Sequence, residues 1–194
     1  MSQFEIYFTL GRQHILMIDA YDHLLFLVAL CAGYVLLDWK KVLILVTAFT
    51  IGHSISLALA VFDVVSVDSK IIEFLIPLTI IVTAAANLLV EGQNKYSIKS
   101  IFNYLFALFF GLIHGLGFSY YLKSILSRSD SVVVPLLSFN LGIEVGQMVI
   151  VITFLLFSYL FISIFGLKRT IWNRVISSLT LVIALFLLYE NRFW

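Results

Sequence analysis

The feature that most constrains this chain is a series of long apolar segments separated by short polar loops. A helix needs about 20 apolar residues to cross roughly 30 Å of hydrocarbon. Backbone groups in lipid must pair within their own segment, so such runs predict spanning helices rather than open strands. We place six spans near 21–37, 42–62, 71–90, 101–122, 132–165 and 171–189. The sequence therefore predicts an all-α, polytopic membrane bundle with about six transmembrane helices.

Two segments leave the number of crossings open. Residues 1–20 mix apolar with charged side chains and predict an interfacial helix ahead of the first span. The 132–165 run is too long for one straight crossing, so it is strongly tilted, extended beyond the bilayer, or broken near 140–142. Counting either segment as an additional crossing gives seven. We expect residues 1–194 to form a single transmembrane domain, because no soluble segment separates the spans.

Composition supports lipid as the main solvent of the chain. Of 194 residues, 62% are apolar and 12% are charged, against about 25% charged in ordinary soluble domains. Twelve Lys and Arg nearly balance eleven acids, which excludes a basic surface for nucleic acid.

Lys and Arg are more frequent in the loops after spans one, three and five than on the opposite side. The positive-inside rule therefore predicts that both termini lie outside.

Each of the four histidines lies in or beside a span: His14, His23, His53 and His114. With this orientation, His23, His53 and His114 reach the outer half of the membrane, and His14 joins them if the N-terminal helix lies along the outer surface. An ionisable residue in a membrane costs roughly 2.5–3.5 kcal/mol on insertion scales and marks a functional hypothesis. A single intramembrane histidine is equally well explained by an interhelical hydrogen bond. Four at one depth favour a shared metal or proton site.

Carboxylates accumulate at the same predicted depth. They are Asp19, Asp22, Glu73 and Glu144. Imidazole together with carboxylate suits Ni²⁺, Co²⁺ or Zn²⁺. The adjacent Asp22 and His23 provide one ligand and one acceptor for the second ring N–H of that ligand. We therefore predict a metal site whose ligands are His14, Asp22, His23, His53, His114 and Glu144.

A polar helix face in the fifth span supports this site. Asn140, Glu144 and Gln147 recur at i, i+4 and i+7, which places them on one side of a helix. Asn140 and Gln147 have an alternative interpretation as side chains that hydrogen-bond neighbouring helices. We expect both of them, with Glu73, to support the metal ligands.

Four motifs, in this order, resemble those of the HupE/UreJ family. They are Asp22-His23-Leu24-Leu25-Phe26-Leu27, Phe49-Thr50-Ile51-Gly52-His53-Ser54, Gly111-Leu112-Ile113-His114-Gly115-Leu116-Gly117-Phe118 and Phe139-Asn140-Leu141-Gly142-Ile143-Glu144-Val145-Gly146-Gln147. That family is associated with hydrogenase and urease gene clusters and is regarded as secondary nickel or cobalt permeases. The resemblance implies a metal permease in a bacterial inner (cytoplasmic) membrane.

His14 departs from the family pattern. In the permeases, five residues typically separate a histidine from the Asp-His pair, whereas seven residues separate His14 from Asp22 here. A shift of two residues turns a helical side chain by about 200°. Either the intervening segment is not helical or His14 has a different role. The difference indicates a divergent branch in which another transition metal is an alternative to nickel.

The leading hypothesis is a transporter that receives a divalent transition metal from the outer side. One alternative is an intramembrane zinc hydrolase acting on a lipid or lipid-linked substrate, with Glu144 or Asp22 as the base. A second alternative is a structural metal site in a protein that assembles with an accessory membrane partner. We expect membrane lipid and a metal ion as partners, and the sequence leaves homo-oligomerisation open.

Overall fold

The computed structural model describes residues 2–17, 20–89, 100–126 and 132–193, and within these ranges the chain is helical and contains no strand. The helices are α1 (Gln3–Leu16), α2 (Tyr21–Cys31), α3 (Trp39–Val61), α4 (Ser69–Leu89), α5 (Ser100–Gly117), α6 (Ser119–Leu126), α7 (Val133–Tyr159) and α8 (Arg169–Glu190). A 3₁₀ turn, Leu36–Asp38, precedes α3, and a π-helical turn, Leu160–Ile164, continues α7.

Within the described residues, four helical segments are long and apolar enough to cross a membrane by themselves. They are Leu36–Val61, Ser69–Leu89, Val133–Ile164 and Arg169–Glu190. Two further pairs meet the same criteria together: α1 with α2, bent by 68°, and α5 with α6, bent by 53°. Counting each bent pair as one span gives six. The predicted all-α, polytopic membrane bundle is confirmed.

The segment predicted as one span at 101–122 is broken at Phe118. Helix α5 ends at Gly117, and α6 begins at Ser119 in a different direction. Gly115 and Gly117 weaken the end of α5, because glycine is a poor helix former. The Ser119 hydroxyl donates to the Leu116 carbonyl at 2.7 Å and stabilises the turn. By contrast, α7 runs without interruption through 140–142.

Glycines bring α3 and α5 into close contact. A Cβ atom on Gly52 would overlap the Leu108 carbonyl, and one on Gly111 would overlap the Phe49 carbonyl. Small residues of this kind let two helix backbones approach closely in a membrane. The approach places His53 of α3 beside the C-terminal turn of α5.

Helix α1 packs lengthwise against α7 in a similar way. Tyr7, Gly11 and Ile15 form its buried face. A Cβ atom on Gly11 would overlap the Phe139 carbonyl of α7, and one on Gly142 would overlap the Phe8 carbonyl of α1. The N-terminal helix is therefore part of the bundle, and His14 is carried with it toward the interior.

A polar network joins α2, α4 and α8. The Asn87 amide donates to the Ala29 carbonyl at 2.7 Å, and the Asn173 amide donates to the Asn87 carbonyl at 3.0 Å. The Ser177 hydroxyl donates to the Asn173 side-chain oxygen at 3.3 Å. We refer to Asn87, Asn173 and Ser177 as the asparagine network.

Candidate metal centre

Four imidazoles, each from a different helix, converge around His23. Its ring centroid lies 4.9 Å from that of His14, 6.0 Å from His53 and 5.1 Å from His114. His53 and His114 are fully buried, and His23 is 4% exposed. The histidines predicted to share one depth therefore form one group, which we call the imidazole cluster.

Aromatic rings enclose the cluster. The Phe26 and Phe49 rings stack at 4.8 Å, and both lie within 5.2 Å of the His114 ring. On the other side, the Phe118 ring lies 3.9 Å from that of His14 and stacks on Phe139. The break between α5 and α6 falls at Phe118, so the bend also places this wall of the site.

In the described part of the chain, the candidate ligand atoms form two groups that share His23. One group is His14, His23 and His53, and the other is Asp22, His23 and His114. Within each group, one donor atom per residue lies within 4.8 Å of the others. Small side-chain rotations suffice to bring three such atoms onto one ion, because metal bonds to imidazole and carboxylate are about 2.0–2.2 Å long. Nitrogen and oxygen donors of this kind suit nickel, cobalt and zinc.

The contact with Asp22 fixes which nitrogen of His23 can bind a metal. His23 Nδ1 lies 2.9 Å from Asp22 Oδ1. An ionised carboxylate only accepts hydrogen bonds, so Nδ1 carries the proton and donates it. The remaining nitrogen, Nε2, is buried and has no hydrogen-bond partner among the described residues. Its lone pair is therefore free, in the arrangement typical of metal-binding histidines.

Thr79, a residue that no sequence motif indicated, likewise determines which nitrogen of His114 carries the proton. The Thr79 hydroxyl donates to the Ile76 carbonyl at 2.7 Å and lies 3.0 Å from His114 Nε2. A hydroxyl has one proton, so Nε2–H of His114 donates to Thr79 and Nδ1 keeps a free lone pair. No sequence pattern pairs these residues on different helices. The available signal was a hydroxyl in an apolar span, which Thr83 of the same helix also provides.

The cluster leaves more ring nitrogens unpaired than a structural network would. In the described parts of the chain, His53 Nδ1 and Nε2, His114 Nδ1, His23 Nε2 and His14 Nε2 are buried without a hydrogen-bond partner. A buried polar atom without a partner costs about 1–3 kcal/mol. One His53 nitrogen carries a proton, and a divalent cation held by one ligand group would use the lone pairs of up to three of the other nitrogens and remove part of that cost.

A cavity of about 470 Å³ lies beside the cluster. Its polar lining includes Asp22, Glu73, His14, His23 and His114. Glu73 is exposed, whereas Asp22 is half-buried. The two carboxylates give the cavity a negative character that favours cations.

Glu144 and Gln147, on the polar face of α7, contact threonines of α3 rather than the imidazole cluster. Thr47 of α3 donates to Glu144 Oε1 at 3.1 Å, and the Thr50 hydroxyl lies 2.7 Å from Gln147 Oε1. Glu144 belongs to neither ligand group of the cluster and does not line its cavity. Asn140 is half-buried, and its Oδ1 has no partner within the described ranges. Asp19 lies outside the described residues.

The comparison with protein families gives one result. The model of a family described as HupE / UreJ protein matches residues 1–191. No curated protein matches the chain, and no solved structure matches it. The chain therefore belongs to the HupE/UreJ family and is a multi-pass membrane protein.

Proposed function

We propose that this member of the HupE/UreJ family carries a divalent transition metal, such as nickel or cobalt, across the membrane. One observation supports the proposal above all: buried imidazole nitrogens that have no hydrogen-bond partner among the described residues converge inside a membrane bundle, beside a cavity lined by Asp22 and Glu73. A closed structural site would hold its ion permanently, whereas a carrier must release the ion and therefore requires ligands that can exchange.

The shared position of His23 suggests how exchange occurs. Its Nε2 lone pair binds one ion at a time, so the two ligand groups are alternatives for a single ion. The ion first binds Asp22, His23 and His114 at the cavity. It then exchanges Asp22 and His114 for His14 and His53, while His23 stays bound. This route avoids a fully stripped cation in a medium of low dielectric constant, where an unpaired charge is very costly.

The direction of transport follows from the charge of the loops. Under the positive-inside rule, the side of the bundle with this cavity faces outward. Asp22 and Glu73 would then attract cations from the outer solution before the imidazoles bind them. The protein would act in the bacterial inner membrane with both termini outside.

Transport can be tested with purified protein in lipid vesicles loaded with a metal-sensitive dye. Wild type should take up Ni²⁺ or Co²⁺, and His53→Ala should lose this uptake. Asn173→Ala is a suitable control because Asn173 is buried in the asparagine network, away from the cluster. Equal uptake by His53→Ala and wild type would contradict the proposal.

The size of the cavity favours one alternative function. About 470 Å³ is more than a metal ion needs, and Leu10, Met17, Ile76 and Tyr121 give the cavity an apolar lining. A zinc ion at the cluster could activate water toward a lipid-linked substrate, with Asp22 as the base. Glu144, the other predicted base, is not a lining residue. Hydrolysis of a lipid ester without net metal uptake would favour this alternative.

A further inference from the structure

Four polar side chains between α3 and α7 lie outside the imidazole cluster. Thr47 donates to Glu144 at 3.1 Å, and Thr50 contacts Gln147 at 2.7 Å. Thr50 and Thr47 precede His53 on α3 by three and six residues. They therefore lie about 4.5 and 9 Å from it along the helix axis. This polar strip continues from the cluster toward the start of α3.

The hydrogen bonds of Thr50 determine how the Gln147 amide is oriented. The Thr50 hydroxyl lies 3.0 Å from the Val46 carbonyl as well as 2.7 Å from the Gln147 amide. It has one proton and cannot donate to two carbonyl oxygens. Both contacts are satisfied if Thr50 donates to Val46 and the amide nitrogen of Gln147 donates to Thr50. Amide oxygen and nitrogen positions are assigned from such networks, and this network favours the rotated amide.

Rotation of the amide leaves a bare oxygen on Gln147. The side chain is fully buried, and its other amide atom has no partner among the described residues. In the rotated form this atom is a carbonyl oxygen, which proteins leave unpaired more readily than an N–H group. It lies beside the Thr50 contact, because the two amide atoms share one carbon. A buried acceptor with no donor is suited to a cation.

The chemistry of the strip differs from that of the cluster. Glu144 is half-buried and contributes a carboxylate, and Thr47 uses its one proton on that carboxylate and keeps hydroxyl lone pairs. Together with the Gln147 carbonyl oxygen, these are oxygen ligands only. Oxygen ligands bind nickel, cobalt and zinc more weakly than imidazole does. A weak position after a strong one lets an ion leave the strong one.

We propose that Glu144, Gln147, Thr47 and Thr50 form a second, oxygen-lined position for the transported divalent cation, one to two helical turns along α3 from His53. The role of this position rests on the proposed transport function, since the ion would pass from His53 to Gln147 and Glu144. The four residues would hold the ion at a position separate from the imidazole ligands.

Metal titration of the purified protein tests this position directly. Wild type should bind Co²⁺ at one tight and one weaker position in equilibrium dialysis. Glu144→Gln keeps an oxygen that accepts from Thr47, so it should fold and retain the tight position. Its weaker affinity should fall at least as far as the roughly 10- to 100-fold typical when a supporting residue of a metal site is removed. Glu190→Gln, the same change on an exposed residue, is the matched control.

Vesicle uptake separates this inference from the proposed function. Selective loss of the weaker position in Glu144→Gln, together with loss of Co²⁺ uptake, supports both. Selective loss without any uptake by wild type supports the second position and overturns transport. A wild type without weaker binding, or a Glu144→Gln variant that retains it, overturns the second position. Loss of both positions in Glu144→Gln would place the carboxylate in the imidazole site and also overturn it.

Discussion

The imidazole cluster and the asparagine network are both buried and polar, but they differ in how their atoms are paired. In the network, the side chains of Asn87, Asn173 and Ser177 form hydrogen bonds that join three helices. In the cluster, five ring nitrogens have no partner in the described part of the chain. Paired polar groups hold helices together, whereas unpaired ones at this depth indicate a ligand.

This difference predicts that mutations in the two regions affect different properties of the protein. A variant of the cluster should change metal binding, and a variant of the network should change stability alone.

The largest effect is expected for His23→Ala. His23 belongs to both ligand groups, so its removal leaves each with two ligands. Metal content per chain, measured by mass spectrometry of the purified protein, should fall from about one equivalent to background. Asn173→Ala should retain the wild-type content. Equal metal content in the two variants would remove the distinction between cluster and network.

Chelation of the metal should lower the stability of wild type. A ligand present at 100 times its dissociation constant stabilises the folded state by about 2.7 kcal/mol. Thermal unfolding in detergent should therefore occur at a lower temperature after chelation, and His23→Ala should show no such shift. Complete unfolding of wild type on chelation would instead support the structural-metal alternative.

Thr79→Val should weaken metal binding without removing a ligand. The valine cannot accept the proton of His114 Nε2, so the tautomer with a free Nδ1 lone pair is no longer favoured. Loss of such a supporting partner typically reduces metal affinity roughly 10- to 100-fold. Thr79→Ser keeps the hydroxyl and should restore the affinity. Binding by Thr79→Val as tight as in wild type would show that Thr79 does not position His114.

The smallest effect is expected for Asn173→Leu. This change removes the hydrogen bond to the Asn87 carbonyl, and such bonds between membrane helices contribute about 0.6 kcal/mol on average. The unfolding temperature should fall slightly, while Co²⁺ affinity stays unchanged. A changed Co²⁺ affinity would show that the network is coupled to the cluster.

The sequence predicted the grouping of the histidines more completely than the grouping of the carboxylates around them. A histidine in an apolar span is visible in the sequence alone, because its cost in lipid does not depend on which helices pack together. Whether Glu144 reaches the imidazoles depends on how α7 is rotated against α3. In the structure, this rotation places Glu144 against Thr47. Similarly, Thr79 acquires a role only because α4 packs beside α5.

The position of His14 shows how the end of one helix changes a side-chain orientation that was predicted from a continuous helix. A continuous helix from His14 to Asp22 would turn the imidazole away from the family's usual position. Helix α1 instead ends at Leu16 and α2 begins at Tyr21. The His14 ring consequently lies 4.9 Å from that of His23.

By itself, the sequence determined that this is an all-α membrane protein with buried histidines, because the lengths and polarity of its segments are constrained by lipid. Tertiary structure decided which nitrogens remain free, where the fourth span bends, and that α1 packs against α7. These features depend on backbone approaches at Gly11, Gly52 and Gly111 and on hydrogen bonds between distant residues. Such contacts are set by the relative rotation of whole helices, which hydrophobic patterning leaves undefined.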